Sequence, residues 1–285
     1  MRRRLVIGLT GASGFLGRPL AARLAAAGHS VVPLPREMGA LPGVDALVHL
    51  AGESVAGLWT ARKRRAILES RVEGTRRLVL RMRGLGRPPA VFVSASATGI
   101  YGHRPGEILD DDALPGAGFR SDVCRAWEAE ARAAEALGVR TVLLRFGSVL
   151  DPGGGYLGKM APLLRRGFCF VLGRGSDRFP WISREDATRL VEFAIETPGL
   201  SGPVNAVAPR TATQKEFARA AAALFRRHVL GRVPRRVLRA LLGEFARAFI
   251  DSQDVRPAKA LRHGFVFQHP DLGTWTPSLA LEVSR

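Results

Sequence analysis

The fold of this 285-residue chain is decided by the stretch from Leu5 to Gly17, which reads LVIGLTGASGFLG. Its apolar first half predicts a buried strand, and its glycine-rich second half predicts a tight turn. Leucines then recur every four residues among alanines until Gly28, so the turn opens a helix. A second strand, Ser30 to Leu34, follows directly. The segment therefore predicts a strand, a glycine turn, a helix and a second strand.

The three glycines of this turn, Gly11, Gly14 and Gly17, suit a phosphate-binding role. A dinucleotide pyrophosphate is stabilised by exposed N–H groups and by the positive end of a helix dipole, and a turn without side chains lets it come close. Successive glycines of this turn are three positions apart, whereas in the commoner GxGxxG pattern they are two and then three positions apart. A tight turn without a ligand is the alternative. The strand–turn–helix–strand context favours a dinucleotide site.

Strands and helices continue to alternate along the chain. Strands are predicted at Val44 to Ala51, Ala90 to Ser94 and Arg140 to Phe146, and helices at about Thr60 to Arg83, Asp122 to Leu137 and Glu185 to Thr197. This alternation predicts an α/β fold, a Rossmann-like doubly wound parallel sheet that binds ligands at the carboxyl ends of its strands, with a smaller α+β C-terminal lobe.

Four shorter features are predicted in the second half of the chain. Phe179 to Ile182 returns to the sheet, Thr213 to Glu216 forms a capping box, Pro234 to Phe249 is helical, and Gly264 to Phe267 is a short strand. Asp186 is expected to cap or support the helix in which it lies.

Composition indicates a globular protein, since 46% of its residues are hydrophobic. No apolar run of about eighteen residues occurs, and the arginine-rich start lacks the apolar region of a secretory signal, so we expect a cytoplasmic protein without membrane contact. The net charge is +18, but 39 of the 43 basic residues are arginines spread through most predicted helices. Such a distribution argues against a nucleic-acid partner.

The two cysteines, Cys124 and Cys169, lie in different predicted elements without CxxC spacing, and the six histidines show no metal-ligand spacing. The sequence therefore predicts buried thiols and no metal. We expect a small-molecule substrate as partner and a monomer or homodimer.

These motifs resemble the extended short-chain dehydrogenase/reductase superfamily. The chain is similar in particular to an atypical subgroup, the bacterial NAD-dependent epimerase/dehydratase family proteins that carry a C-terminal domain of unknown function. The resemblance covers essentially the whole chain and rests on Thr10 to Gly17, Leu47 to Glu53, Trp59-Thr60 with Ser70-Arg71, Ser96 to Gly102, Trp127-Glu128, Asp151 to Gly155, Trp181 to Asp186 and Asn205 to Pro209.

This resemblance implies a cofactor-binding Rossmann domain over residues 1–200, in which residues 151–178 add to the substrate lobe, and a substrate or accessory domain over residues 201–285. It places Lys159 in the crossing between them as a candidate for an anionic substrate group, with a solvated lysine as the alternative. The cofactor-binding residues that it implies are Thr10, Gly11, Ser13, Gly14, Phe15, Leu16, Gly17, Arg36, Leu50, Ala51, Gly52, Ser94, Ala95, Phe146 and Gly147.

The residue after the second strand indicates which nicotinamide cofactor binds. An acidic residue there would hydrogen-bond the ribose 2′-hydroxyl and repel a 2′-phosphate. Here Pro35 is followed by Arg36, whose guanidinium matches a phosphate, and Arg18 is placed to assist. The sequence therefore predicts a preference for NADP(H) over NAD(H), although Glu37 beside Arg36 opposes it.

The catalytic pair of the superfamily, YxxxK, is absent. Neither Tyr101 nor Tyr156 has a lysine four residues later, and the segment where the superfamily places its tyrosine reads Phe119 to Cys124. Ser96 and Tyr101 are the replacement catalytic pair that we predict; a tyrosine packed beside the pocket without proton transfer is the alternative.

Two functions follow from these features. The first is an NADP(H)-binding oxidoreductase or epimerase-like enzyme of the extended short-chain dehydrogenase type, which acts on a small polar substrate such as a sugar derivative. The second is a catalytically silent NADP(H)-binding sensor or regulatory protein. The glycine turn and the substrate lobe favour the first, and the missing YxxxK pair favours the second.

Overall fold

The computed structural model describes residues 4–37 and 39–276 and confirms the α/β fold. Six parallel strands form the central sheet in the order β2-β1-β3-β4-β6-β11. In chain order the strands are β1 (Val6–Thr10), β2 (Ser30–Leu34), β3 (Ala46–His49), β4 (Val91–Ala97), β5 (Arg104–Leu109), β6 (Arg140–Phe146), β7 (Ser148–Asp151), β8 (Phe170–Leu172), β9 (Arg178–Phe179), β10 (Trp181–Ser183), β11 (Gly202–Ala206), β12 (Ala212–Thr213), β13 (Gly231–Val233) and β14 (Gln253–Val255).

Nine α-helices are bounded within the described residues. They are α1 (Gly17–Ala26), α2 (Ala61–Arg83), α3 (Phe119–Arg132), α4 (Gly155–Arg165), α5 (Arg184–Glu196), α6 (Gln214–Leu224), α7 (Arg235–Leu242), α8 (Arg247–Ile250) and α9 (Ala258–Arg262). Turns of 3₁₀ helix occupy Thr98–Tyr101, Ala133–Leu137 and Gly243–Ala246. No helix in the described ranges is long and apolar enough to cross a membrane.

The sheet separates two apolar layers because side chains alternate along each strand. One layer packs α1 and α5 against the sheet through Leu20, Leu190 and Val93. The other packs α2 and α3 against the opposite face, where Met82 meets Phe92. Both faces are therefore covered, as a parallel sheet requires.

The direction of winding reverses beside β1. From β1 the chain crosses to β2 on one side and then to β3 on the other. The connections consequently diverge and leave a crevice at the carboxyl ends of β1 and β3. The glycine turn and the loop that begins at Leu50 both lie there.

The second half of the chain departs from the sequence expectation at three places. Phe179 to Ile182 does not return to the central sheet, because β9 pairs with β12 and β10 pairs with β7 in separate two-stranded sheets. The sixth strand of the central sheet is β11, which lies beyond the domain boundary expected at residue 200. Gly264 to Phe267 is not a strand: Gly264, with φ +85°, ends α9, and the Phe265 and Phe267 rings pack into the core.

The helix starts agree with their sequence signals. The Thr60 side chain caps α2 by accepting from the Lys63 N–H. Thr213 and Glu216 form both halves of the predicted capping box at α6. At α5 the cap is Ser183, whereas the Asp186 carboxylate accepts from the N–H groups of Gln268 and His269 and so holds the C-terminal segment against this helix.

Candidate functional site

The glycine turn is built so tightly that only glycine fits at two of its positions. A Cβ on Gly17 would lie 2.0 Å from the Gly11 carbonyl oxygen. Gly11 has φ +72°, and a Cβ there would lie 2.9 Å from the backbone nitrogen of Ala51. The Gly14 N–H donates to the Gly11 carbonyl at 2.9 Å and closes the turn. The turn therefore lies directly against the loop that follows β3.

The first turn of α1 offers its backbone amides to a ligand. Its N-cap residue is Leu16, which has no side-chain acceptor, and no acidic residue occurs in the first turn. Ser13 and Gly14 are exposed beside it. A helix N-terminus without a cap attracts an anion through its N–H groups and its dipole, so this arrangement suits a phosphate.

A threonine–histidine pair fixes the path of the chain beneath the turn. Thr10 and His49 are opposite each other on β1 and β3, and Thr10 Oγ1 lies 2.6 Å from His49 Nδ1. The same hydroxyl accepts from the Ala51 N–H at 3.3 Å. Burial, and then the charge of Arg71, lower the pKa of His49 to about 4. The imidazole is consequently neutral at pH 7.

The loop after β3 is anchored on α2. The Glu53 N–H donates to Ser70 Oγ at 3.0 Å, and Arg71 donates to the Glu53 carbonyl at 3.0 Å. The Glu53 carboxylate forms an ion pair with Lys63 at 2.7 Å. A Cβ on Gly52 would lie 3.5 Å from the Arg71 guanidinium carbon. These contacts hold Leu50 to Gly52 in place beside the glycine turn.

Arg36 lies exposed just after β2, and β2 pairs with β1. The pKa of Glu53 is lowered chiefly by the hydrogen bond and charge of Lys63, and the charge of Arg36 contributes. Arg36 therefore acts electrostatically on the loop after β3. No carboxylate in the described parts of the chain lies within ion-pair distance of Arg36, whose guanidinium is thus available to an anion. Glu37 is exposed as well.

Phe15 connects the glycine turn to the segment that crosses to the second lobe. Cβ atoms on Gly154 and Gly155 would come within 2.5 and 2.6 Å of its ring. The guanidinium of Arg184 lies 5.6 Å from the ring centroid and forms an ion pair with Asp151 at 2.9 Å. Glycines at 154 and 155 therefore let this segment approach the turn.

Lys159 reaches across the crevice from α4. Its Nζ donates to Ser54 Oγ at 3.3 Å, and both residues are exposed. The position is open to a ligand group. Its assignment to an anionic substrate stays a prediction.

The carboxyl ends of β4 and β6 lie side by side, and Ala97 pairs with Phe146. Ser94 is fully buried, and its Oγ donates to the Ala95 carbonyl at 3.3 Å. A Cβ on Gly147 would lie 2.8 Å from the Pro180 carbonyl oxygen. In the sheet, β4 is the second strand from β1 and β6 is the third. The predicted cofactor residues therefore extend along the carboxyl-terminal ends of neighbouring strands.

Ser96 lies at this edge, but its hydroxyl points into a buried ion pair. Ser96 Oγ donates to Glu128 Oε1 at 2.7 Å. Arg145 donates to both oxygens of the Glu128 carboxylate at 2.8 and 2.9 Å. The Arg145 and Glu128 side chains are only 6% and 7% exposed. The serine hydroxyl thus stabilises a buried charge pair.

Tyr101 completes the same network. Its hydroxyl lies 2.6 Å from Asn205 Oδ1 and 2.9 Å from the Asp110 carbonyl oxygen, and it accepts from Arg145 at 2.9 Å. Burial raises its pKa to about 12, although Arg145 and Asn205 act in the opposite direction. The hydroxyl therefore keeps its proton at pH 7 and is enclosed by protein. A catalytic role for Ser96 and Tyr101 stays a prediction; their contacts suit a positioning role.

The start of α3 presents Arg120 and Cys124 to the end of β4. A Cβ on Gly99 would lie 3.1 Å from the Arg120 Nε, and Arg120 donates to the Arg247 carbonyl at 3.2 Å. Burial raises the pKa of Cys124 to about 11, so its thiol is neutral at pH 7. Neither the Arg120 guanidinium nor the Cys124 thiol therefore ionises in the way that the tyrosine of a YxxxK pair does.

Several residues of the site were not among the predicted site residues. Arg145 is the one charged residue of the apolar run from Thr141 to Phe146, and such a charge needs a buried partner; this signal was available in the sequence. Its partner Glu128 lies in a motif that carried the resemblance, as does Asn205, whose Oδ1 accepts from the Tyr101 hydroxyl. Arg71 likewise belongs to such a motif and supports the loop at Gly52.

The doubly wound sheet and the glycine turn at its switch point define a protein of the Rossmann class. Residues 7–208 match the model of the NAD dependent epimerase/dehydratase family, and residues 233–274 match a domain of unknown function, DUF1731. Epimerase family protein Mb2239 of Mycobacterium bovis is 35% identical over 94% of this chain and 95% of its own length. The chain belongs to the NAD dependent epimerase/dehydratase family.

Two solved structures extend this likeness to three dimensions. Human epimerase family protein SDR39U1 (isoform 2), crystallised with NADPH, is 30% identical and matches with a TM-score of 0.90 over 97% of this chain and 99% of its own. The nucleoside-diphosphate sugar epimerase of Corynebacterium glutamicum is 31% identical, with a TM-score of 0.77 over 98% of this chain and 59% of its own. The resemblance drawn from the sequence is confirmed.

Proposed function

We propose that this protein binds NADP(H) in the crevice between β1 and β3 and is an oxidoreductase or epimerase-like enzyme of the extended short-chain dehydrogenase type. The observation that carries the cofactor is the similarity to human SDR39U1, whose crystal structure contains NADPH and aligns along nearly the whole chain. The tight glycine turn and the open N-terminus of α1 support the same cofactor.

The residues at this crevice fit a dinucleotide with a 2′-phosphate. The amides from Phe15 to Gly17 would hold the pyrophosphate, and Leu50 to Gly52 would line the adenosine side. Arg36 would pair with the 2′-phosphate, since its guanidinium is exposed. Its positive charge also helps to lower the pKa of Glu53, in the loop after β3. When bound, the nicotinamide supplies a hydride donor or acceptor.

The substrate would be a small polar molecule held between the ends of β4 and β6 and the second lobe. Arg120 is a charged group that lies against Gly99 in the segment after β4, and a guanidinium can polarise a carbonyl without giving up a proton. Ser96 and Tyr101 would act by fixing β4 and the segment that follows it.

The second candidate is a silent NADP(H)-binding sensor. It is supported by one specific observation: the predicted proton donor Tyr101 is buried, and its hydroxyl lies within hydrogen-bond distance of Asn205, Arg145 and the Asp110 carbonyl. A sensor needs the cofactor crevice but not a proton donor.

Calorimetric titration with NADPH and NADH tests the cofactor. We expect NADPH to bind more tightly, and Arg36→Asp to weaken NADPH by about a hundredfold, since it replaces a charge-assisted pair with repulsion, while NADH changes little. Arg65→Asp, an exposed arginine of α2, is the matched control for the change in net charge and should leave both affinities unchanged. Equal losses for both cofactors in Arg36→Asp would remove Arg36 from the site.

A crystal of the NADPH complex separates enzyme from sensor. An open space beside nicotinamide C4 is the expected result and would justify screening small polar carbonyl compounds for NADPH oxidation. A C4 atom covered by protein side chains would favour the sensor. Failure of both cofactors to bind would overturn the proposal.

A further inference from the structure

A cavity of about 320 Å³ lies in the C-terminal lobe, outside the dinucleotide crevice. Its walls come from α7, the 3₁₀ turn that follows it, α8 and His103. The arginines Arg235, Arg239 and Arg247 line it together with the carboxylates Glu244 and Asp251. Its volume is in the range of small-molecule sites.

The carboxylates around this cavity already have cationic partners. Glu244 pairs with Arg64 of α2 at 2.6 Å. Asp251 lies 3.4 Å from Arg120 and 3.5 Å from Arg247. The acidic groups are thus compensated before any ligand enters.

Arg235 is held by a carboxylate outside the cavity lining. It pairs with Asp177 at 2.6 Å and donates to the Ile250 carbonyl at 2.8 Å. Its Nε is buried and makes no hydrogen bond within the described chain. A buried N–H without an acceptor is costly. The positive charge of Arg235 is nevertheless retained at the cavity wall, since the residue lines it.

Arg239 adds a positive charge to the cavity wall. It is exposed, and no carboxylate of the described residues lies within ion-pair distance of it. Five guanidinium groups on or beside the cavity therefore face three carboxylates, which leaves an excess of two positive charges. Such an excess suits an anionic group.

The cavity adjoins the end of β4. A Cβ on Gly118 would lie 3.0 Å from Arg247 Nη1, and Arg120 connects the Arg247 carbonyl to Gly99. Phe245, next to Glu244, packs against Trp59 with ring centroids 5.9 Å apart. The cavity thus lies against the segment that follows β4 and against the loop between β3 and α2.

We propose that this cavity binds the anionic group of the substrate, a phosphate or a carboxylate, through Arg235, Arg239 and Arg247. The assignment to the substrate rests on the function proposed above; the anion site itself does not. The domain of unknown function would then recognise the charged end of the substrate, while the central sheet holds the cofactor.

Two arginines of α7 provide a matched test. Arg239 lines the cavity, whereas the neighbouring Arg236 is exposed and does not. Inorganic pyrophosphate and citrate are titrated calorimetrically, at constant ionic strength, into protein saturated with NADPH so that the cofactor crevice is blocked. We expect saturable binding of at least one probe, a loss of about tenfold or more in Arg239→Glu, and less than about a twofold change in Arg236→Glu.

The outcomes separate the proposals. Binding of pyrophosphate alone would assign a phosphate-bearing substrate, and binding of citrate alone would assign a carboxylate. Absence of saturable binding, or equal losses in both variants, would overturn the anion site. The NADPH titration is a separate measurement, and failure of NADPH to bind would overturn the cofactor assignment alone. The anion site would then be tested in the protein without cofactor, by the same comparison of Arg239→Glu with Arg236→Glu.

Discussion

The two ends of the candidate site are built by different means. At the end of β1 the structure depends on missing side chains: Gly11 and Gly17 let the backbone fold onto itself and leave amides exposed. At the end of β4 it depends on side chains that meet from distant parts of the chain, because Glu128 and Arg145 join two elements in a buried ion pair. The first kind of site is local in sequence, and the second exists only in the folded protein.

The largest effect is expected from Glu128→Ala. Removal of this carboxylate leaves Arg145 buried without a counter-charge and should cost about 3–5 kcal/mol of unfolding free energy. Glu130→Ala is the matched control on the same helix, because Glu130 pairs with Arg76 at the surface and should cost less than about 1 kcal/mol. Denaturant unfolding measures both; equal losses would contradict the buried network.

The glycine turn is tested by Gly17→Ala. The new Cβ would collide with the Gly11 carbonyl, so we expect a loss of about 3 kcal/mol in stability, at the upper end of overpacking effects. NADPH affinity should fall by about a hundredfold, because the amides no longer converge. Gly74→Ala, in open space within α2, should instead stabilise by about 0.5–1 kcal/mol. Unchanged NADPH binding in Gly17→Ala would exclude this turn from the site.

His49 makes the cofactor end sensitive to acid. Its pKa is about 4 in the folded protein against an ordinary 6.5, so its contribution to stability is complete above pH 6.5 and is lost as the pH falls towards 4. When the pH falls from 7 to 5, we expect the free energy of unfolding to decrease by about 2 kcal/mol more in the wild type than in His49→Gln. His228→Gln, an exposed position, should behave like the wild type. An identical pH dependence in His49→Gln would contradict a buried neutral imidazole.

The two tyrosines give the smallest effect and the sharpest contrast. Tyr101→Phe removes a hydroxyl with three partners and should cost about 1 kcal/mol. Tyr156→Phe removes a buried hydroxyl that has no partner within the described chain, and should be neutral or stabilising. Thermal unfolding compares them. Once a substrate is found, unchanged turnover in Tyr101→Phe would rule out its role in proton transfer.

Prediction from the sequence succeeded where the determinants are local. The strands at Ser30–Leu34 and Arg140–Phe146 and the capping box at Thr213 follow from apolar runs and from side chains three residues apart. It failed at Gly264 to Phe267, where two phenylalanines pack into the core without forming a strand. A short apolar segment predicts burial, but its pattern is the same whether the residues pair as a strand or pack as isolated rings.

The sequence by itself determined the doubly wound fold, the glycine turn and the family, because these depend on residues that are close together in the chain. Only the tertiary structure decided that Ser96 and Tyr101 belong to one network with Glu128 and Arg145, and that three arginines of the C-terminal lobe surround a cavity beside β4. The physical reason is that burial and charge compensation depend on which elements pack together, and the distance along the chain does not specify that.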